Sequence, residues 1–290
     1  MSIEARIESR KSLKELSTFG IGGEARYFIS IDSIPDMQAL RLFLNREKLP
    51  YWVVGKGSNS LFDDRGFEGM VILNKIPFIE FDVGALHVGA GYSFSLLGVQ
   101  MARKNWGGLE FASGIPGSVG GAIYMNAGAN GQETCDTLKS VGVIDVSGAF
   151  VERSDLQFSY RTSPFQKNED IIVSGRFQLK KVESAREDQL KIIGYRKETQ
   201  PYGEKSAGCM FRNPEDISAG ALIEQCGLKG KRIGGAEVSS LHANFIVNRG
   251  GATAQEVMEL VHFVKETVRK KAGKDLELEV RPIPYQLGGK

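Results

Sequence analysis

Cysteine is scarce and poorly spaced for structural work. The chain has three, Cys135, Cys209 and Cys226, among 290 residues. An odd number with no CxxC pair excludes a disulfide framework and the common zinc spacings, and it points to reduced thiols in a cytoplasm. Histidine is as rare: His87, His242 and His262 form no HExxH or similar cluster, so no metal site is expected. No apolar run approaches the roughly 18 residues a membrane span needs. The opening Met1-Ser2-Ile3-Glu4-Ala5-Arg6 has no apolar leader core. A surplus of one charge is missing too, since 37 basic and 35 acidic side chains leave +2. That balance lacks the clustered basic face of a nucleic-acid binder. The short run Arg269-Lys270-Lys271 ends a helix-like segment, where cations complement the helix dipole. The expectation is a cytoplasmic protein with neither nucleic acid nor membrane as partner.

What the chain does have is apolar residues enough for a sizeable core, at 41%, and 35 glycines. These are densest between Gly107 and Gly131. Helical spacing over Ile34 to Lys48 puts Met37, Leu40 and Leu44 on one face. Short strands are predicted at Tyr51–Val54, Gly69–Leu73 and Ala85–Gly89. A helix is predicted over Ser93 to Lys104, with Leu96, Leu97 and Met101 facing inward. From Ser140 to Leu179 the pattern is mainly β. A hairpin there turns at Ser147-Gly148 between Asp145-Val146 and Phe150-Val151, and a strand follows over Ile171 to Leu179.

The last third changes character. Helices are predicted over Glu187–Thr199, before Pro201, and over Ser218–Cys226, with Gly227 at its end. Thr253-Ala254-Gln255-Glu256 has the capping-box pattern, and Val257, Val261, Val264 and Val268 follow on one face. Ala243–Val247 reads as a strand. The alternation Leu276 to Arg281 predicts a final strand with Glu277, Glu279 and Arg281 on one face. The fold class is α+β. A larger N-terminal part precedes a smaller C-terminal part, with a boundary in the charged stretch 182–191.

Two segments carry chemistry. Gly55-Lys56-Gly57-Ser58-Asn59-Ser60 follows the Tyr51–Val54 strand. A Gly-rich turn there can offer backbone N–H groups to a phosphate. It matches neither GxxxxGK[ST] nor GxGxxG, and on spacing alone an ordinary tight turn explains it equally well. Gly114-Ile115-Pro116-Gly117-Ser118-Val119-Gly120-Gly121-Ala122 is a long, closely approachable loop, followed by Asn126-Ala127-Gly128-Ala129. So much glycine is entropically costly in a purely structural loop. A diphosphate or a flavin edge is its natural guest.

Together these segments resemble a known family. Ser17-Thr18-Phe19-Gly20-Ile21-Gly22-Gly23 is similar to the N-terminal "NTFxxGG" signature of the UDP-N-acetylenolpyruvoylglucosamine reductases (MurB). The two Gly-rich loops match in order and spacing. Tyr160-Arg161-Thr162-Ser163-Pro164-Phe165 resembles "YRxSxF", and Gly208-Cys209-Met210-Phe211-Arg212-Asn213-Pro214 resembles "GSxFxNP". The segment Ala219 to Asn248, with His242-Ala243-Asn244-Phe245, and then Glu279-Val280-Arg281 complete the set, over residues 17 to 281. The form of these motifs and the short stretch from Gly131 to Tyr160 resemble the subtype without an extra tyrosine loop.

The resemblance implies a two-lobed FAD-binding domain of the vanillyl-alcohol-oxidase (PCMH) type, plus a C-terminal α+β substrate-binding domain. The implied division is 1–74 and 75–184 for the two lobes, 185–274 for the substrate domain, and 275–290 for a strand and tail returning to the active site. It also implies non-covalent FAD, NADPH as co-substrate, and reduction of UDP-N-acetylglucosamine-enolpyruvate to UDP-N-acetylmuramate for peptidoglycan; separately, a monomer is expected. The cofactor-binding residues would be Gly55, Lys56, Gly57, Ser58, Asn59, Ser60, Gly114, Ile115, Pro116, Gly117, Ser118, Gly120, Gly121, Ala122, Asn126 and Gly128.

Enolpyruvyl reduction builds charge on the carboxylate side and then needs a proton at the neighbouring carbon. By motif match Arg161 is the cation, its fork suiting a carboxylate. Glu279 polarises the site, in preference to its face-mate Glu277. Cys209 stands where the family usually has the serine proton donor, and a thiol is intrinsically the stronger acid. Arg196, Lys205 and Asn213 are expected to contact the UDP-sugar, and Tyr195 and Tyr202 either stack on uracil or pack. Two other readings stand beside this one: another FAD-dependent oxidoreductase of the same superfold, and a non-catalytic nucleotide-sugar-binding module.

Overall fold

The computed structural model describes residues 2–287. The chain forms two compact units that interleave along the sequence. The first comprises residues 2–8, 28–56 and 70–196, and the second 9–27, 57–69 and 197–287. This partition differs from the four consecutive segments expected from the sequence. Two N-terminal stretches belong with the C-terminal third, and the later boundary falls at 196/197 rather than 184/185.

In the first unit, helix α1 spans Ile34–Glu47. Ser33 caps it by accepting the Asp36 N–H, and Lys48 ends it in a left-handed conformation. Met37, Leu40 and Leu44 are buried as expected. Arg41 is buried with them, at 2% exposure. Its guanidinium bonds the Tyr51 hydroxyl and lies 3.4 Å from Glu169, so a charge occupies a face the periodicity assigns to the core. The strand Tyr51–Val54 pairs in parallel with the second half of Gly66–Asn74.

A five-stranded antiparallel sheet follows. Its order is Phe150–Arg153, Leu138–Ile144, Ile171–Gln178, Ala85–Gly89, Ile79–Asp82. Helices α2 (Phe94–Arg103) and α3 (Val119–Met125) share its apolar core. Here Leu96 departs from expectation, being 46% exposed. The buried stripe is Phe94, Leu97, Gly98 and Met101, and Leu96 sits about 100° away from Leu97 around the helix. The hairpin turn is also wider than expected. Asp145 and Val146 leave the ladder because Asp145 Oδ1 accepts the N–H groups of Ser147 and Ala149. Helix α4 spans Ala185–Thr199.

The second unit holds helices α5 (Ala219–Gln225) and α6 (Ala254–Ala272). Its four-stranded antiparallel sheet has the order Ser206–Cys209, Phe245–Asn248, Ala236–Val238, Arg232–Ile233. The Thr253–Glu256 capping box forms, and Val257, Val261, Val264 and Val268 all enter the core. Each such burial contributes roughly 1.5–3 kcal/mol. Glu256 accepts the Gly235 and Thr253 N–H groups, which hold its carboxyl below the usual range. Asp64 adds a second cap from a distant part of the chain. Its two oxygens accept the N–H groups of Ala254 and Gln255 at 2.8 and 3.1 Å. Asp64→Ala is expected to lower stability by about 1 kcal/mol, read as a lower urea midpoint at unchanged slope.

The predicted final strand forms only in part. The strand is Arg281–Ile283, paired in parallel with Ser60–Phe62. Residues 276–280 keep the alternation, with Leu276 and Val280 buried and Glu277 exposed. They make one isolated bridge, Leu278 to Phe211, instead of a ladder. The Ala243–Val247 strand shifts likewise to Phe245–Asn248. Among the described residues no helix is long and apolar enough to cross a membrane, and no group of three or more His, Cys, Asp or Glu is placed to hold a metal.

Candidate active site

The first unit brings Gly55 and Lys56 against the Gly114–Ala122 loop and its neighbours. Gly55 ends the Tyr51–Val54 strand against Ser118, and a Cβ at 55 would lie 2.0 Å from the Ser118 Oγ. Ser118 caps α3 by accepting the Gly121 N–H, and it bridges to Ser93. Lys56 Nζ donates to Ser93 Oγ at 2.7 Å, and partial desolvation lowers its pKa. Ser93, Ser118 and Lys56 therefore converge on one place.

Several loop glycines serve packing within the protein. A Cβ at Gly120 would lie 2.9 Å from that of Ala90, and one at Gly114 would lie 2.3 Å from Arg196 Cδ. The loop is pinned further: Val119 N–H donates to Tyr92, Gly120 N–H to Ala90, Ile115 N–H to Ala112, and Phe94 N–H to the Gly117 carbonyl. Gly121 differs, since a Cβ there meets only the Ser118 Oγ, at 3.5 Å.

Asn126 is fully buried in a left-handed conformation, φ +42°. Its amide donates to Glu133 Oε2 at 2.7 Å and to the Ser159 carbonyl at 3.1 Å, and accepts the Cys135 N–H. It therefore acts on the loop from inside the protein. Gly128 pairs with Glu133 in a two-strand turn, and its carbonyl accepts Arg161 Nη2 at 2.9 Å. Arg161 itself has φ +55°, and its guanidinium lies 4.8 Å from the Tyr160 ring centre. Arg196, on α4, packs its methylenes on Gly114, and its buried Nε has no hydrogen-bond partner among the described residues.

The second unit holds the rest. Gly57 needs to be glycine: its φ is +61°, and a Cβ would meet the Leu16 carbonyl. Asn59 is tied to the C-terminal segment twice. Its Nδ2 donates to the Glu279 carbonyl at 3.2 Å, and its own carbonyl accepts the Arg281 N–H at 3.0 Å. The Ser60 carbonyl accepts Ser17 Oγ. Glu279 N–H donates to the Met210 carbonyl at 2.9 Å. Cys209 and Glu279, 70 residues apart in sequence, thus sit on directly hydrogen-bonded segments.

Lys205 lies exposed along Gly20. Asn213 Oδ1 accepts the Ala219 N–H at the start of α5, a local structural bond. Tyr195 and Tyr202 are exposed. Two residues outside the expected set emerge from this geometry: Ser93 and Glu133. Glu133 carried one usable signal, a carboxylate placed directly after the glycine-rich run.

These residues fit a flavin dinucleotide in the first unit. A cation and two hydroxyls stand where two loops meet, Gly121 leaves the backbone approachable, and Arg196 Nε is a buried donor without a partner. A family model for an FAD binding domain matches residues 25–154, and one for the C-terminal domain of UDP-N-acetylenolpyruvoylglucosamine reductase matches residues 200–283. The class is therefore that of FAD-binding flavoproteins.

Full-length relatives narrow it. The reductase of that name from Protochlamydia amoebophila is 58% identical, over 99% of this chain and 97% of its own. That from Chlamydia trachomatis serovar A is 46% identical, over 97% of each. The crystal structure of the Thermus caldophilus enzyme superposes with a TM-score of 0.82 at 38% identity, covering 96% of this chain and 99% of its own. The chain belongs to the UDP-N-acetylenolpyruvoylglucosamine reductase family.

Proposed function

We infer that this chain is an FAD-dependent reductase that converts UDP-N-acetylglucosamine-enolpyruvate to UDP-N-acetylmuramate with NADPH, in the making of peptidoglycan precursors. The observation that carries the assignment of roles is the Glu279–Met210 hydrogen bond, which fixes the Cys209 and Glu279 segments side by side. Bound flavin supplies the reducing equivalents that pass from NADPH to the enolpyruvyl double bond.

The residues do the remainder. Arg161 binds the substrate carboxylate and stabilises the charge that gathers there once the terminal carbon is reduced. The Cys209 Sγ–H gives its proton to the carbon beside the carboxylate, and the thiolate left behind recovers a proton from solvent. Glu279 polarises the same region. Lys56 and the Ser118 loop bind the cofactor diphosphate, and Arg196, Lys205 and Asn213 contact the UDP-sugar. The proposed working form is a cytoplasmic monomer.

Anaerobic stopped-flow absorbance tests the assignment. NADPH should bleach the flavin band, and the enolpyruvyl substrate should restore it without oxygen. Bleaching without recovery would leave a flavoenzyme acting on some other acceptor, and no flavin band after reconstitution would remove the whole reading.

A further inference from the structure

Glu133 sits where the proposed reaction assigns nothing. Its Oε2 accepts Asn126 Nδ2 at 2.7 Å. Its side chain also accepts the Asp136 N–H, while Asp136 Oδ2 takes the Glu133 N–H at 2.8 Å. Asn126 is locked in turn by Cys135 N–H and the Ser159 carbonyl. The carboxylate is therefore held from two sides and cannot follow a neighbour that moves. That neighbour is Arg161, whose Nη1 lies 4.0 Å from Glu133 Oε1. The other guanidinium nitrogen donates to Gly128, the residue paired with Glu133 across the turn. Arg161 also keeps a left-handed backbone, which non-glycine residues hold only where their surroundings enforce it.

We propose that Glu133 is a positioning residue for Arg161, a fixed carboxylate that sets the direction of the guanidinium fork. The proposal rests on the reading of Arg161 as the cation that meets the substrate carboxylate. At 4.0 Å the attraction orients the guanidinium without taking one of its N–H donors. An arginine left to its own rotamers spreads over many directions. Misplacement by about 1 Å can cost a factor of about 100 in rate. Glu133 thus acts on the half-reaction in which the carboxylate collects charge, and not on flavin loading.

The test uses the FAD-loaded full chain. Glu133→Gln keeps the length and still accepts from Asn126, but removes the charge. Flavin re-oxidation by the enolpyruvyl substrate should slow by about 10- to 100-fold, with flavin reduction by NADPH and FAD retention unchanged. Re-oxidation at the wild-type rate, or equal slowing of both half-reactions, would overturn the proposal. Glu133→Asp carries the test if the glutamine variant loses FAD. It draws the charge back by one methylene and should give an intermediate rate, and a wild-type rate would count against the role. Arg161→Met separates the two levels. It should slow re-oxidation by at least about 100-fold. If it does not, the reading of Arg161 itself fails. If it does and Glu133→Gln is silent, only the positioning role falls. In an Arg161→Lys background, Glu133→Gln should add little, because a lysine has no fork to aim, and full additivity would contradict the mechanism.

Discussion

Cys209→Ala is expected to slow flavin re-oxidation by the enolpyruvyl substrate by about 10²- to 10⁴-fold, the usual contribution of a placed general acid. Reduction of the flavin by NADPH should be untouched, because no proton from Cys209 enters that step. Cys209→Ser should retain most of the activity, since a hydroxyl stands at this position in the family pattern that the sequence resembles. Iodoacetamide should inactivate the native protein and spare the serine variant. If Cys209→Ala re-oxidises at the native rate, the proton comes from elsewhere.

The geometry around Cys209 explains why the segment tolerates such exchanges. Main-chain bonds hold it in place. Cys209 pairs with Phe245, and the next residue, Met210, accepts from Glu279 and donates to the Asn244 carbonyl. The side chain at 209 can change without loss of these bonds.

Much of this was legible in the sequence, for local reasons. Helix α6 announces itself because a capping box and a valine stripe both depend on residues close in sequence. The same holds for the apolar spacing of α1, and for the Ser147-Gly148 turn, where Gly148 has φ +86°. The features that stayed hidden depend on distant partners. Nothing near Arg41 says that Tyr51 and Glu169 will receive a buried guanidinium. Residues 57–69 read as part of an N-terminal lobe, yet Asp64 caps α6 and Ser60–Phe62 pairs with Arg281–Ile283. The glycine-rich loops were readable as unusual, but their function was only half visible. Gly55, Gly114 and Gly120 are required where protein meets protein, and Asn59 and Asn126 spend their amides on neighbouring segments. A motif records that a residue type is needed, not which of its atoms faces a ligand.

Asn244 is the clearest such case, and its removal should be the most damaging single change to the fold. It is 2% exposed. Its Oδ1 accepts the Phe211 N–H at 2.9 Å, and its Nδ2 donates to the Phe211 carbonyl at 2.8 Å. The side chain thus acts as a strand partner for a residue that has no ladder at that point. Phe211 is itself buried, so water cannot replace either bond. Asn244→Ala strands a donor and an acceptor, each costing about 1–3 kcal/mol, and leaves a small void besides. A loss of about 3–5 kcal/mol is expected, a large share of the 5–15 kcal/mol typical of a folded domain. Asn244→Asp should be nearly as harmful although its shape is the same, because one carboxylate oxygen would face the Phe211 carbonyl. Urea unfolding followed by circular dichroism checks both, through the midpoint at unchanged slope. A shift of under about 1 kcal/mol in the alanine variant would mean that the Glu279–Met210 bond and the α5–α6 core hold the Cys209 segment without Asn244. A large shift in both variants would identify the amide's paired donor and acceptor as the device that seats Cys209 beside Glu279.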